Sequence, residues 1–171
     1  MASRPAAAPN EEGEDRVRWV NRFPITPKPG YGDLKAYFNI DNGSGKLRGI
    51  HADNNVGAVS TLKGWLAPFE SLGAGAVVVN TTGGTDHVYM QSVGVPAFQF
   101  IQDPLDYDSR LHHTSIDTFD HIKGNDMRQG ATVLAGVLIQ AANSDKTLPH
   151  EAIPTGVDPT DPFKYKDPAS D

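Results

Sequence analysis

Residues 76–101 read AVVVNTTGGTDHVYMQSVGVPAFQFI and contain, in order, an apolar run, a glycine turn and a second apolar run. The first run, residues 76–79, is short, continuous and rich in valine, which is typical of a buried strand. The glycine pair permits a tight turn before residues 86–93, which we interpret as a short helix. Residues 97–101 then predict another strand. A helix between two strands indicates the α/β class.

Upstream of this stretch, apolar and polar residues alternate from residue 34 to residue 40, which is the period of a half-buried strand. Residues 42–45, Asn-Gly-Ser-Gly, have the composition of a turn. A second short apolar run follows at residues 47–50. Two such runs joined by a glycine-rich turn predict a β-hairpin.

Two longer segments show the three- and four-residue apolar spacing of a helix. The first begins at Asn54 or Asn55, either of which can cap it, and Gly73 is placed to end it, although Pro68 disturbs its last turns. The second spans about residues 125–143 and should cover the sheet. The apolar positions are Val56, Val59, Leu62, Leu66 and Phe69 in the first helix, and Met127, Ala131, Leu134, Val137, Leu138 and Ala141 in the second.

The chain has 171 residues, which is enough for one domain with a hydrophobic core. Its hydrophobic content is 38% and its mean hydropathy is −0.41, so not every segment joins that core. Both ends of the chain are rich in proline and charge and lack periodicity. We expect a mostly disordered segment at residues 1–30, a folded part at 31–148 and an extended polar tail at 149–171.

Charge and cysteine content exclude several classes of partner. The net charge is −6 with a pI near 5.4, and lysine and arginine are scattered, so no nucleic-acid partner is expected. No segment is apolar and long enough for a membrane span, and no signal peptide is recognisable, so the chain as written should stay where it is made. Because the chain has no cysteine, a metal ion would need His, Asp or Glu ligands.

Asp41 is the first candidate for a metal ligand. It directly follows the first predicted strand, so its carboxylate would lie at the carboxyl edge of the sheet, where α/β folds bind ligands. The alternative is an Asx turn, in which Asp41 or Asn42 bonds the following backbone. The residues alone leave both interpretations open.

His112 and His113 precede Asp117 in a polar loop, an arrangement suited to an imidazole ligand that a carboxylate orients. Two ordinary surface histidines would produce the same pattern. Asp86 and His87 follow the glycine turn. There, Asp86 is either a helix cap or part of a pair that supports a metal site.

Glu11 and Glu12 form an adjacent pair of carboxylates. Such a pair can act as general base and metal ligand in a hydrolytic site. A solvated acidic patch is the alternative interpretation, because the surrounding segment has the composition of a disordered tail.

Four motifs, in this order along the chain, resemble peptidase family M28, and within it the plasma glutamate carboxypeptidase group. They are AYFNIDNGSGKLRGI at 36–50, TGGTDH at 82–87, GVPAFQFIQD at 94–103 and HHTSIDT at 112–118. The resemblance implies a three-layer α/β/α fold of the phosphorylase/hydrolase-like zinc exopeptidases. It also implies two zinc ions that activate a water molecule to hydrolyse a peptide bond, in an aminopeptidase or a carboxypeptidase.

By this resemblance, Asp41 matches a ligand of one zinc ion and His113 matches a ligand of the other. Asp86 and His87 match a supporting pair that lines the site. We add Asp117 as a partner that orients His113. The resemblance further implies a peptide or dipeptide substrate, and relatives of this group are periplasmic or extracellular.

The chain departs from the family pattern upstream of Asp41. There, family members carry a first histidine ligand, a bridging aspartate and a Glu-Glu pair. No histidine precedes His51 here, and only Glu11 and Glu12 form such a pair. The chain therefore resembles the C-terminal half of a catalytic domain, with an incomplete fold and no assigned catalytic residue. It is either part of a zinc exopeptidase, completed by another half-domain or by self-association, or a non-catalytic remnant for binding or assembly.

Overall fold

The computed structural model describes residues 30–92, 94–150, 157–158 and 161–165. These residues form a mixed α/β fold with a four-stranded main sheet, which confirms the predicted class. Nearly all of the predicted N-terminal segment, including Glu11 and Glu12, lies outside the described residues. No helix in the described ranges is long and apolar enough to cross a bilayer.

The strands of the main sheet are β1 (Tyr37–Asn39), β2 (Leu47–His51), β3 (Ala76–Val78) and β4 (Ala97–Gln102). Their order across the sheet is β1-β4-β2-β3. β4 runs parallel to β1 and antiparallel to β2, and β2 runs parallel to β3. β4, the last strand of this sheet in sequence, is therefore inserted between β1 and β2.

This insertion makes the predicted hairpin wrong, because β4 separates β1 from β2. The glycine-rich turn passes over the end of β4, where the N–H groups of Ser44 and Gly45 donate to the Asp103 carbonyl at 3.1 and 2.8 Å. A Cβ at position 45 would lie 2.7 Å from the Asp103 Cβ, so the crossing requires glycine. The central position of β4 in the sheet buries Phe98 and Phe100. The free energy gained by burying these side chains outweighs the local preference of the turn residues for a hairpin.

In the described part of the chain, three α-helices accompany the sheet: α1 (Val59–Leu66), α2 (His87–Ser92) and α3 (Gly124–Asn143). Short 3-10 turns flank α1 at Val56–Ala58 and Ala67–Leu72, and the second turn ends at Gly73 in the left-handed conformation, as predicted. The predicted asparagine cap is wrong. Asn55 makes no capping hydrogen bond, and its side chain instead donates to the Pro149 carbonyl at 2.8 Å.

Aromatic side chains join the strands to α1 in the core. Phe38 of β1 lies between Phe98 and Phe100 of β4, with ring centroids 6.0 Å apart in both pairs. Trp65 of α1 meets Phe38 edge-on at 6.3 Å. Such contacts add to the burial of apolar area, so this cluster holds β1 and β4 against α1.

The buried face of α3 differs in part from the prediction. Val133, Val137 and Ala141 are buried, whereas Met127 is 52% exposed and Leu138 is 46% exposed. α3 packs on β2 and α1 along a stripe of buried residues that is narrower than predicted, so the apolar residues beside this stripe remain on the surface.

β3 was predicted to be buried and is instead an edge strand. Ala76 is exposed, and Val77 and Val78 are half-buried. β3 pairs only with β2 within the described part of the chain, so one of its sides has no neighbouring strand there.

The predicted C-terminal tail contains a small ladder. Residues Val157–Asp158 (β5) and Asp161–Tyr165 (β6) pair in antiparallel orientation. Other positions beyond residue 150 lie outside the described residues, so the prediction for this tail remains a prediction.

Candidate active site

Asp41 lies just beyond β1 and is exposed. Within the described residues no hydrogen bond ends on its carboxylate, so the Asx turn considered above does not form at Asp41. The turn that begins at Asp41 is bound to the residue that follows β4, because the Asp103 N–H donates to the Lys46 carbonyl at 2.9 Å. The Asp41 carboxylate is thus free to bind a ligand while its backbone is anchored.

An ion pair strengthens that anchor. Arg48 binds Asp103 through both ends of its guanidinium group, with Nε donating to Oδ1 at 2.8 Å and Nη2 to Oδ2 at 2.6 Å. The hydrogen bonds from Arg48 lower the pKa of Asp103. Because the folded pKa is lowered, the stabilisation exists above the ordinary pKa of an aspartate and is lost as the pH falls through the folded value.

Gln99 of β4 forms the buried support beneath Asp41. Its amide lies 2.7 Å from the Asn39 amide and 3.2 Å from the Thr85 hydroxyl. With the amide oriented to satisfy its neighbours, its oxygen accepts from the N–H groups of Asp41 and Asn42 at 3.0 and 3.3 Å. Gln99 therefore connects the end of β1 with the loop before α2.

His87 continues this buried network. It is fully buried, and its Nδ1 lies 2.5 Å from the Thr85 hydroxyl. Its Nε2 lies 3.2 Å from the Thr82 carbonyl and 3.5 Å from Oδ2 of Asp53, a carboxylate that is 2% exposed. Asp53 also accepts from the Thr82 N–H at 2.9 Å. His87 therefore supports the loop from beneath.

His113 lies in the loop after a π-helical turn at Tyr107–Leu111. Its ring packs against that of His112 with centroids 3.9 Å apart and planes tilted by 37°, and the His112 ring lies 4.8 Å from that of Tyr107 with a tilt of 32°. We call these three rings the ring stack. His113 has a φ of 58°, a left-handed conformation that is uncommon for residues other than glycine. Strain of this kind is often concentrated at functional sites.

Tyr107 brings the two halves of the candidate site together. Burial raises the pKa of the Tyr107 phenol, and the carboxylates of Asp41, Asp108 and Asp117 raise it further. Asp41 and the loop that contains His113 therefore share one neighbourhood, although about 70 residues separate them in sequence.

Replacing Asp41 with asparagine should lower the pKa of Tyr107 toward the ordinary tyrosine value of about 10, because removing a nearby negative charge favours the phenolate. NMR titration of labelled tyrosine rings would measure this shift. The raised pKa also implies stability that is full below about pH 10 and is lost as the pH rises through the folded value.

The matched control for this titration is Asp86→Asn, which removes an exposed carboxylate that is not among those acting on Tyr107. It should leave the Tyr107 pKa unchanged. An equal shift in both variants, or none in Asp41→Asn, would contradict the placement of Asp41 beside the ring stack.

The other candidate residues lie in different surroundings. Asp86 is exposed at the start of α2, whereas His87 is buried and faces Asp53. Asp117 is exposed, and among the described residues no hydrogen bond joins its carboxylate to His113. Its electrostatic effect on Tyr107 nevertheless places it near the ring stack.

Four residues in this region were not candidates from sequence: Asn39, Asp53, Gln99 and Tyr107. Gln99 had a recognisable signal, since it is a single amide within the apolar run AFQFI. Asp53 also follows the end of a strand, as Asp41 does. Tyr107 had no local signal, because its importance depends on its neighbours in space.

The described residues do not complete a zinc centre. Among them, no three His, Asp or Glu side chains form a group that could hold a metal ion. Protein zinc sites take about three or four protein ligands. Asp41 and His113 therefore do not by themselves fit the two-zinc site that the sequence resemblance implies.

No protein-family model matches the chain, and no curated protein matches it. A solved structure, the Peptidase M28 precursor from Shewanella amazonensis SB2B, matches 80% of this chain with 27% sequence identity and a TM-score of 0.60. The fold is similar to that of a peptidase. This similarity supports the predicted M28-like fold as a distant structural match.

The match spans 30% of the length of that M28 peptidase. The similarity therefore concerns one part of a larger protein. A peptidase-like hydrolase is the functional class to which it points.

Proposed function

We propose that this chain is the C-terminal part of the catalytic domain of a zinc-dependent exopeptidase. The substrate class is peptides or dipeptides, cleaved by an aminopeptidase or a carboxypeptidase. The observation that carries the proposal is the structural match to an M28 peptidase, at 27% identity over 80% of this chain. The electrostatic effect of Asp41 on Tyr107, which packs against His112, supports it. A three-layer α/β/α arrangement of the complete domain belongs to the same proposal.

In this proposal, Asp41 and His113 are ligands of different zinc ions. Asp41 is suited to the role because its backbone is anchored while its carboxylate is unbonded within the described part. His113 is suited because its imidazole is exposed and packs against the ring of His112. Asp86 lines the site at the surface, His87 supports it from the interior, and Asp117 orients the histidine loop.

The remaining ligands must come from elsewhere, because the described residues supply too few of them. Glu11 and Glu12 are candidates within this chain. A complementary half-domain or a second copy of the chain is the other source. We assign no chemical step to a centre whose ligand set is incomplete.

The alternative function is a half-domain that acts in binding or assembly without catalysis. The sheet edge at β1 favours it, since β1 pairs only with β4 within the described residues. Leu34 and Ile40 flank this strand and are 40% and 37% exposed. An open edge with apolar neighbours can pair with a strand of another chain.

Zinc binding to the purified full chain, measured by calorimetry, tests the proposal. The wild-type chain should bind zinc, and His113→Ala should weaken binding by about tenfold or more, because it removes a ligand. The control is His121→Ala, which removes a histidine outside the ring stack. An aminopeptidase and carboxypeptidase assay would follow on the same three proteins.

Loss of zinc binding in His113→Ala alone would support the site. Equal zinc affinity in all three proteins would contradict the assignment of His113. No binding by the wild-type chain would contradict zinc-dependent activity of this chain alone and favour the assembly function.

A further inference from the structure

Gln99 is a buried amide that the proposed ligand set does not use. It is 1% exposed and lies in the middle of β4. Side chains alternate across a strand, so Gln99 points away from the core face that Phe98 and Phe100 occupy. A polar group in such a place needs hydrogen-bond partners, and those of Gln99 lie at the last residue of β1, in the turn after β1 and in the loop before α2.

The partners of Gln99 determine the orientation of its amide. On one side lie the N–H groups of Asp41 and Asn42, both of which need an acceptor. With the amide oxygen toward these groups, its nitrogen donates to the Thr85 hydroxyl at 3.2 Å and lies 2.7 Å from the Asn39 amide, which accepts through its oxygen once it is turned in the same way. The reverse orientation would leave two main-chain donors facing an NH₂ group.

This orientation also determines the proton positions in the rest of the network. Because Thr85 accepts from Gln99, its own hydroxyl proton is free to be donated to Nδ1 of His87, 2.5 Å away. His87 then carries its proton on Nε2, which faces the Thr82 carbonyl and the Asp53 carboxylate. Every hydrogen bond from the Thr82 carbonyl through His87, Thr85 and Gln99 to Asp41 thereby has a donor and an acceptor.

We propose that Gln99 is a positioning residue for Asp41. Its amide oxygen clamps two successive N–H groups at the end of β1, and so fixes the direction in which the Asp41 carboxylate leaves the sheet. Thr85 and His87 hold the amide in the orientation that this clamp requires. The inference rests on the proposed function, in which Asp41 is a metal ligand, and it adds the residue that orients this ligand.

Gln99→Met, compared with Gln91→Met, tests the clamp in the full chain. Both glutamines are buried, but Gln91 donates to the Ala97 carbonyl and has no contact with Asp41. Methionine keeps the length of the side chain and removes the acceptor. Amide hydrogen exchange measured by NMR should become about tenfold faster or more at Asp41 and Asn42 in Gln99→Met only.

Two outcomes of the exchange measurement overturn the clamp: unchanged protection of Asp41 and Asn42 in Gln99→Met, or an equal loss in Gln91→Met. Calorimetry on the same proteins should give a zinc affinity about tenfold lower or more in Gln99→Met, with little change in Gln91→Met. If the wild-type chain binds no zinc, zinc-dependent activity of this chain alone is contradicted, and the exchange measurement still decides the clamp.

Substitutions of Thr85 test the same clamp without changing Gln99, should Gln99→Met fail to fold. Thr85→Val removes the hydroxyl that accepts from Gln99 and donates to His87, whereas Thr85→Ser keeps it. Exchange at Asp41 and Asn42 should accelerate in the valine variant only. The ¹⁵N shifts of His87 should report the Nε2–H tautomer in the wild type and the serine variant. The opposite tautomer would contradict the deduced orientation of Gln99.

Discussion

Replacing Gly49 with alanine should destabilise the fold by more than about 4 kcal/mol, a cost reached by few substitutions. Gly49 pairs with Ala76 across β2 and β3. A Cβ at position 49 would lie 2.0 Å from the Ala76 carbonyl oxygen and 2.6 Å from its carbon. These are main-chain atoms in a paired strand, so the clash is relieved only by separating β3 from β2. Urea unfolding followed by circular dichroism would measure the loss.

The matched control is Gly64→Ala in α1. A Cβ at position 64 would meet nothing within 4 Å, and the position is exposed on the helix. Alanine there should stabilise the fold by about 0.5–1 kcal/mol, because glycine weakens a helix interior. If Gly49→Ala unfolds at the same urea concentration as the wild type, the close pairing of β2 and β3 is contradicted.

Replacing His87 with leucine should cost about 3 kcal/mol, because it removes the hydrogen-bond partner of buried polar groups, each of which costs about 1–3 kcal/mol when left unsatisfied. The substitution removes the donor that faces the Asp53 carboxylate and the Thr82 carbonyl. It also leaves the Thr85 hydroxyl without its imidazole acceptor. Oδ2 of Asp53 has no hydrogen-bond partner within the described residues, and the His87 Nε2–H group lies 3.5 Å from it.

Thermal and urea unfolding of His87→Leu would be compared with those of His112→Leu, the same substitution at an exposed histidine. The control should change stability by less than about 1 kcal/mol, since surface substitutions have small effects. Equal stability of the two variants would show that the buried network is not an important source of stability.

Local sequence patterns predicted the individual elements well. The strand expected at 97–101 is Ala97–Gln102, and the helix expected at about 125–143 is Gly124–Asn143. The hairpin failed because turn residues report that the chain changes direction and do not report which strand lies beside it. Residues 42–45 do turn, but they turn over the end of β4.

The candidate site likewise contains residues that local sequence patterns selected and residues that they missed. Asp41 and His113 were selected from motifs and strand ends, and their roles as ligands remain predictions. Gln99 and Tyr107 were missed because each acts on residues far away in sequence. The buried environment of His87 was likewise not predictable, since a histidine at a helix start has the same local pattern whether it is buried or exposed.

The sequence by itself determined the α/β class and the approximate bounds of its main helices and strands, and it supplied the candidates for metal ligands, which remain predictions. Periodicity and turn chemistry are local, so one stretch of chain is enough to reveal them. Only the tertiary structure decided that β4 separates β1 from β2 and that Gln99 joins the end of β1 to His87. Strand order and buried hydrogen bonds depend on the simultaneous burial of apolar side chains and pairing of polar groups from distant segments, which no local pattern encodes.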